Sequence, residues 1–341
     1  MQSEITSPGP LLNDKGHLVQ TGWARDLLLK YERSRVHASA LRIKEWDYYE
    51  IRNDKFGLIL VIYDVGYQGK IQATFLDFER HETSEASEVE WFSKGKLNLP
   101  PSSNAGDIRY QIKNSSWECV KHKDHRQFKF NFPDYFGGKG FQGEIKLMCP
   151  PDMDSMVNVI PFSNPKHFVY AQKANCMQAF GTFKVADKEY TFSDELKSYG
   201  CLDWTRAVFP YKTTWRWASA SGEVQGNLLG LNFDYGFGLE SSKNMIFFNH
   251  KGHHLDEVKY YWNPYNVEDD WIFESNDDRV QMHLHPTFVM VDDNNFAILR
   301  MKVLKAYGYF TGTLVLDNGE KIEISKEDKF FGHAEYAENR W

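Results

Sequence analysis

The sequence lacks most of the features from which a function is usually read. There is no GxSxG elbow, no GxxxxGK[ST] phosphate loop and no HExxH pair, so the chemistries those motifs carry are not expected. "GGKGFQG" (137–143) has no following helix to complete a phosphate cradle. The four cysteines, Cys119, Cys149, Cys176 and Cys201, contain no CxxC pair and so offer nothing to zinc or to a dithiol switch. They read as reduced and mostly buried, packing as small hydrophobes. No stretch reaches the roughly 18 apolar residues of a membrane span. The opening "MQSEITSPGPLLNDKGHL" has neither the basic start nor the apolar h-region of a secretory signal, and a cytoplasmic protein is expected. Basic excess is missing too. Forty Lys and Arg against 47 Asp and Glu leave a formal charge of −7, which gives no field to attract phosphate backbones, so nucleic acid is not an expected partner. Nothing calls for a cofactor, and nothing speaks to the oligomeric state.

What the chain does have is aromatic residues, 16% of the total, interleaved with polar ones in the manner of β-strands. Short runs such as "GLILVIYDVGY" (57–67), "KIQATFLDF" (70–78), "RQFKFNF" (126–132), "NLLGLNFDYGF" (227–237) and "GTLVLDNGEKIEI" (312–324) are bounded by Gly, Pro, Asn or Asp. That is the pattern of antiparallel strands. Helical patterns are scarce: 22–36 and the acidic 77–92 are the best candidates, the second equally readable as a solvated loop.

The two halves resemble each other. The pairs are Asp64 with Asp234, Gly66 with Gly236, "FGTFKVADKEYTF" (180–192) with "TGTLVLDNGEKIEI" (311–324), and "YGCLDWTR" (199–206) with "FGHAEYAENRW" (331–341). The last pair matches Gly200 with Gly332 and Asp203 with Glu335. Trp46 and Trp217 would open the two units. The expectation is an all-β chain of two barrels or sandwiches: an N-terminal barrel over 1–206 with an insertion near 79–125 lying over the surface or a pocket mouth, and a C-terminal barrel over 207–341.

The motifs "GHLVQTGWAR", "RIKEWDYYEI", "DWTRAVFPYKTTWRWASASG", "NFDYGFG" and "FGHAEYAENRW" together resemble the family catalogued as domain of unknown function 2804, over nearly the whole chain. At fold level that family is similar to the tandem-lipocalin group that includes the carotenoid 1,2-hydratases (hydroxyneurosporene synthases). The resemblance implies two lipocalin-like antiparallel barrels in tandem. It carries over no catalytic residue, because the hydratase motifs find no residue-level match here. "GLESSKNMIFFN" (238–249) departs from the more Thr- and Glu-rich turn expected before Asn244.

The segment 199–223 gathers an acid, cations and tryptophans, which are the groups of a small-molecule pocket. The expected site has Asp203 as acid/base, Arg206 or Lys212 stabilising negative charge, and Trp204, Trp215 and Trp217 as walls, with Asp234, Tyr235 and Asn244 also binding ligand. The bland alternative is an Asp203–Arg206 ion pair stapling the barrels. Three functions stay open: cofactor-free hydration, isomerisation or cyclisation of an apolar or ring-bearing molecule; glycoside hydrolysis by an Asp203/Glu335 pair sharing one cleft; or a non-catalytic carrier. His283 and His285 share one face of a strand, but a solvated outer face is the ordinary place for them, and no metal site is expected.

Overall fold

The computed structural model describes residues 3–236, 244–296 and 298–341. Three short strands lead in: β1 (Gly9–Pro10), β2 (Gly22–Ala24) and β3 (Leu29–Lys30). The first barrel follows with β4 (Ile43–Arg52), β5 (Phe56–Asp64), β6 (Gln68–Asp77), β7 (Glu82–Trp91), β8 (Ile108–Ile112), β9 (Ser115–Lys121), β10 (His125–Phe132), β11 (Phe141–Met148), β12 (Met156–Pro161), β13 (Phe168–Val185), β14 (Lys188–Phe192) and β15 (Tyr199–Val208). The second has β16 (Lys212–Val224), β17 (Asn227–Tyr235), β18 (Asn244–Phe248), β19 (Lys251–Leu255), β20 (Val258–Tyr261), β21 (Trp271–Ser275), β22 (Val280–Phe296), β23 (Leu299–Val315), β24 (Lys321–Ile324) and β25 (Phe331–Arg340).

The first sheet runs β7-β6-β5-β4-β15-β13-β11-β10-β9-β8 and the second β19-β18-β17-β16-β25-β23-β22-β21-β20. In the barrel sheets every pairing is antiparallel, and each sheet curls until its two ends nearly meet. This is the tandem pair of lipocalin-like barrels expected. In the first barrel side chains bridge the closing gap: Lys113 Nζ lies 2.5 Å from Glu88 and Tyr110 Oη donates to Glu90 at 2.5 Å.

Strand register makes the duplication concrete. Asp203 lies beside Tyr48 on β4 and Lys173 on β13; Glu335 lies beside Trp217 on β16 and Lys305 on β23. The equivalence of Asp203 with Glu335 therefore holds in three dimensions. Two other sequence matches shift. Trp46 is equivalent to Trp215, Trp217 to Tyr48, and Asp234 to Val61 rather than Asp64. The sequence match aligned the two Asp and Gly letters, whereas the hairpins are in register three residues earlier, with Gly57 beside Gly230.

The helical expectations are corrected. Within 22–36 lie β2, β3 and a single 3-10 turn, Arg33–Arg35, and the acidic 82–91 is strand β7. Nor is 79–125 an insertion throughout. It supplies β7, β8 and β9, all members of the barrel, and only residues 92–107 form a loop over its mouth. Two separate cores fill the barrels, and smaller aromatic clusters lie between them.

Candidate active site

Alternate residues of a strand face opposite ways. On β4, Asp47, Tyr49 and Ile51 point into the first barrel, while Trp46, Tyr48 and Glu50 point at the second. On β15, Leu202, Trp204 and Arg206 point inward and Asp203 outward. Asp203 and Arg206, three apart, therefore lie on opposite faces and form no pair with each other: Asp203 meets Lys173 at 2.7 Å and Arg206 meets Asp47 at 2.9 Å. The segment 199–223 contributes to two different places.

The first place is the interior of the N-terminal barrel. Arg206 is fully buried, its guanidinium 4.4 Å from the centroid of Trp204. It donates to Asp47 and to the carbonyls of Trp46 (3.0 Å), Thr205 (3.0 Å) and Pro100 (2.8 Å). Tyr170 packs edge-on against Trp204 at 5.3 Å, and Phe128 is wedged between Tyr49 (4.6 Å) and Trp117 (5.9 Å). Within these aromatic walls several buried polar atoms have no protein partner: Asp47 Oδ2, Arg206 Nε, Trp204 Nε1 and Trp117 Nε1. Buried polar atoms are nearly always bonded, so orphans gathered inside one barrel mark a place for polar atoms of something else. Burial pushes the Cys119 thiol up to about 12 and raises the Tyr49 hydroxyl well above its ordinary value. Both stay protonated at neutral pH.

The mouth of this barrel holds a cavity of about 210 Å³ lined in part by Lys121, Lys123, His125, Arg126, Cys149 and Gln172. Burial lowers the pKa of Lys121, opposed by the charge of Asp47. The loop after β7 closes over the mouth, and interior cations hold its carbonyls: Arg206 on Pro100, Lys121 on Ser102 at 3.1 Å, Arg126 on Ser103 at 3.2 Å.

The second place is the interface between the barrels, which has a pseudo-twofold relation. Lys173 of the first barrel sits 4.0 Å over Trp217 of the second, and its counterpart Lys305 sits 4.5 Å over Tyr48 of the first. Trp46, Phe209, Trp341 and Trp215 stack in a column, neighbouring centroids 5.1–6.5 Å apart. The symmetry breaks at Glu50, whose counterpart is Ser219. Glu50 accepts from Tyr48 Oη (2.5 Å), Lys305 (3.2 Å), Tyr307 Oη (3.3 Å), His333 Nδ1 (3.0 Å) and Arg52. Burial opposes its charge, but His333, Lys305 and Arg52 together hold its carboxyl well below the usual range. Burial, reinforced by Lys305 and Arg52, pushes the His333 imidazole down to about 3 despite Glu50. His333 is therefore neutral and donates its Nδ1 proton. Glu335 accepts from Trp215 Nε1 at 2.8 Å and meets Lys305 at 3.3 Å. Asp203 and Glu335 thus both face this interface, each held by a buried lysine.

The remaining expected residues scatter. Lys212 is exposed at the start of β16. Asp234 and Asn244 are buried in the second barrel, where Asn244 accepts from the Asp234 amide at 2.8 Å and donates to the Asp256 carbonyl at 2.7 Å. Tyr235 packs with Tyr260 at 6.5 Å. The departing turn before Asn244, 238–243, lies outside the described residues. His285 meets Asp270 at 2.9 Å and Thr311 at 2.8 Å, and among the described residues no cluster of His, Cys, Asp and Glu could hold a metal ion. No helix among them is long and apolar enough to cross a membrane.

The sequence profile of the family described as "Domain of unknown function (DUF2804)" matches residues 2–341. The chain belongs to this family. Comparison with curated proteins gives no match. Among solved structures, kievitone hydratase from Nectria haematococca is similar over 98% of this chain and 98% of its own, at 11% identity and a TM-score of 0.47. CghA is similar over 98% and 97%, at 8% identity and 0.47. A protein named AttH from Nitrosomonas europaea is similar over 92% and 96%, at 9% identity and 0.41. Identities this low transfer no residue's role to this member of the family.

Sequence reasoning passed over Asp47, Glu50 and Lys173, and also the basic hairpin "KHKDHR" (121–126) at the barrel mouth. The signal for the last was present: five Lys, Arg and His in six residues, in a chain of net negative charge.

Proposed function

We propose that the N-terminal barrel binds a small ring-bearing molecule and acts on it by proton transfer alone, as in hydration, isomerisation or cyclisation. The observation that carries this reading is the set of unpartnered polar atoms, Asp47 Oδ2, Arg206 Nε, Trp204 Nε1 and Trp117 Nε1, inside aromatic walls. Area for stacking with a few fixed polar groups is the make-up of a small-molecule site. Asp47 suits the acid/base role because one oxygen is fixed by Arg206 while the other is free to take or return a proton. Arg206 Nε and Trp204 Nε1 are donors for an oxygen on which negative charge develops. In this reading Arg206 takes the charge-stabilising role and Trp204 adds a donor to its part in the wall, while Asp203 and Glu335 face the interface.

The test is mass spectrometry of a metabolite extract before and after incubation with the wild type, Asp47→Asn and Asp203→Asn. The wild type and Asp203→Asn should deplete one species and yield a product of equal mass or one water different. Asp47→Asn should slow this by about 10²- to 10⁴-fold. A molecule recovered unchanged from all three proteins would make the barrel a carrier, and loss of turnover in Asp203→Asn alone would move the chemistry to the interface.

A further inference from the structure

Arg126 projects from β10 into the mouth of the first barrel and is 7% exposed. A buried cation normally has a carboxylate beside it, because an unpaired charge costs several kcal/mol. Among the described residues Arg126 has none. Its partners are neutral: the Ser103 carbonyl at 3.2 Å, the Cys149 sulfur at 2.7 Å and the Met177 sulfur at 3.9 Å, with Nε bonded to nothing. Lys121, on the neighbouring strand and partly buried, forms no salt bridge among the described residues: it donates to the Ser102 carbonyl, and the charge of Asp47 acts on it from further inside the barrel. Three cations, Lys121, Lys123 and Arg126, line the cavity against one carboxylate, Asp26, which is exposed and engaged by Asn104 at 2.6 Å. A cationic recess in a chain of net charge −7 is not an extension of a general basic surface.

Resting on the reading of this barrel as a small-molecule site, we infer that its ligand carries an acidic group, a carboxylate, sulfonate or acidic enol, gripped at the mouth by Arg126 and Lys121. The Ser102 and Ser103 carbonyls now supply neutral oxygens where two cations call for an anion. An acidic group would satisfy Arg126 Nε and replace these weaker acceptors. Its ring system would then lie deeper, among Trp117, Tyr49 and Trp204, next to Asp47. The acidic group thereby fixes which end of the molecule enters first.

The experiment uses two fluorescent probes with one ring system, anilinonaphthalene sulfonate and neutral phenylnaphthylamine, titrated into the wild-type chain, Arg126→Gln and Lys121→Gln. The expected result is tighter binding of the sulfonate by about ten- to a hundredfold, the worth of charge-assisted hydrogen bonds. That preference should disappear in Arg126→Gln and shrink in Lys121→Gln. Phenylnaphthylamine should bind all three proteins alike, which also shows that the variants are folded. Equal affinity of the wild type for both probes would overturn the acidic-group inference and leave the apolar site standing. A sulfonate preference that survives both substitutions would overturn the assignment to these residues. If neither probe binds any of the proteins, the site itself is removed.

Discussion

Glu50 and Asp203 are both carboxylates in the interface, yet their surroundings make them unequal. Glu50 has no exposure and faces Arg52, Lys305 and His333 at once, whereas the side chain of Asp203 keeps 14% exposure and one lysine. Removing the charge of Glu50 leaves two buried cations short of their shared partner. Glu50→Gln is therefore expected to cost about 3–5 kcal/mol, and Asp203→Asn only about 1–2 kcal/mol, since water reaches its site. Urea unfolding of the two variants checks this through their midpoints, and equal losses would show that the Glu50 cluster holds no special share of stability. The sequence could suggest that 199–223 was rich in function, but not which way each side chain faced. Asp203 and Arg206 look like partners in "DWTR" because spacing in a string has no face. Once strand parity is applied, Arg206 turns inward to Asp47, in "EWDYY", a partner 159 positions away. That contact is set by pairing between β4 and β15, which local sequence does not state.

At the level of elements, the matched hairpins carry a testable sign of duplication. Gly181 on β13 and Gly312 on β23 are equivalent and have φ of +123° and +132°, where side chains are rarely tolerated. An added Cβ would lie 2.2 Å from the Glu144 carbonyl oxygen in one case and 2.1 Å from that of Gln281 in the other. Gly181→Ala and Gly312→Ala should each destabilise by about 2–3 kcal/mol, measured by thermal or chemical unfolding. A neutral result at either site would show that its strand can shift to admit the methyl. These hairpins were legible in the sequence because turn residues and alternation lie within a dozen positions. Strand β7 was not. "ETSEASEVEW" reads as helix or loop because an edge strand at the seam of a barrel puts charge on both faces, and Glu88 and Glu90 are there to meet Lys113 and Tyr110 across the gap. Only closure of the barrel explains that composition.

The whole molecule is held by an interface in which each barrel inserts a lysine against an aromatic ring of the other, and this gives it a pH dependence of fixed sign. His333, at the centre, faces Glu50, Arg52, Lys305, Trp217 and Tyr307. Its folded pKa of about 3 lies below the ordinary 6.5, so between these values the unfolded chain takes up a proton that the folded one refuses. The stability from a neutral His333 is complete above pH 6.5 and is lost as the pH falls toward 3. Glu50, also depressed, adds to the loss below its ordinary 4.5. At about 1.4 kcal/mol per unit, His333 alone should lower stability by about 2–3 kcal/mol from pH 6.5 to 4.5. His333→Asn keeps a donor near the place of Nδ1 but cannot titrate, so its stability should be flatter over that window than that of the wild type. Since Lys305 and Glu335 belong to one barrel and Glu50 and Arg52 to the other, the wild-type loss should appear in both barrels at once, as a single shifting transition in calorimetry and in tryptophan fluorescence. Parallel pH profiles for wild type and His333→Asn would mean that the imidazole is not the group refusing the proton. Two transitions separating on acidification would mean that the buried cluster does not couple the barrels.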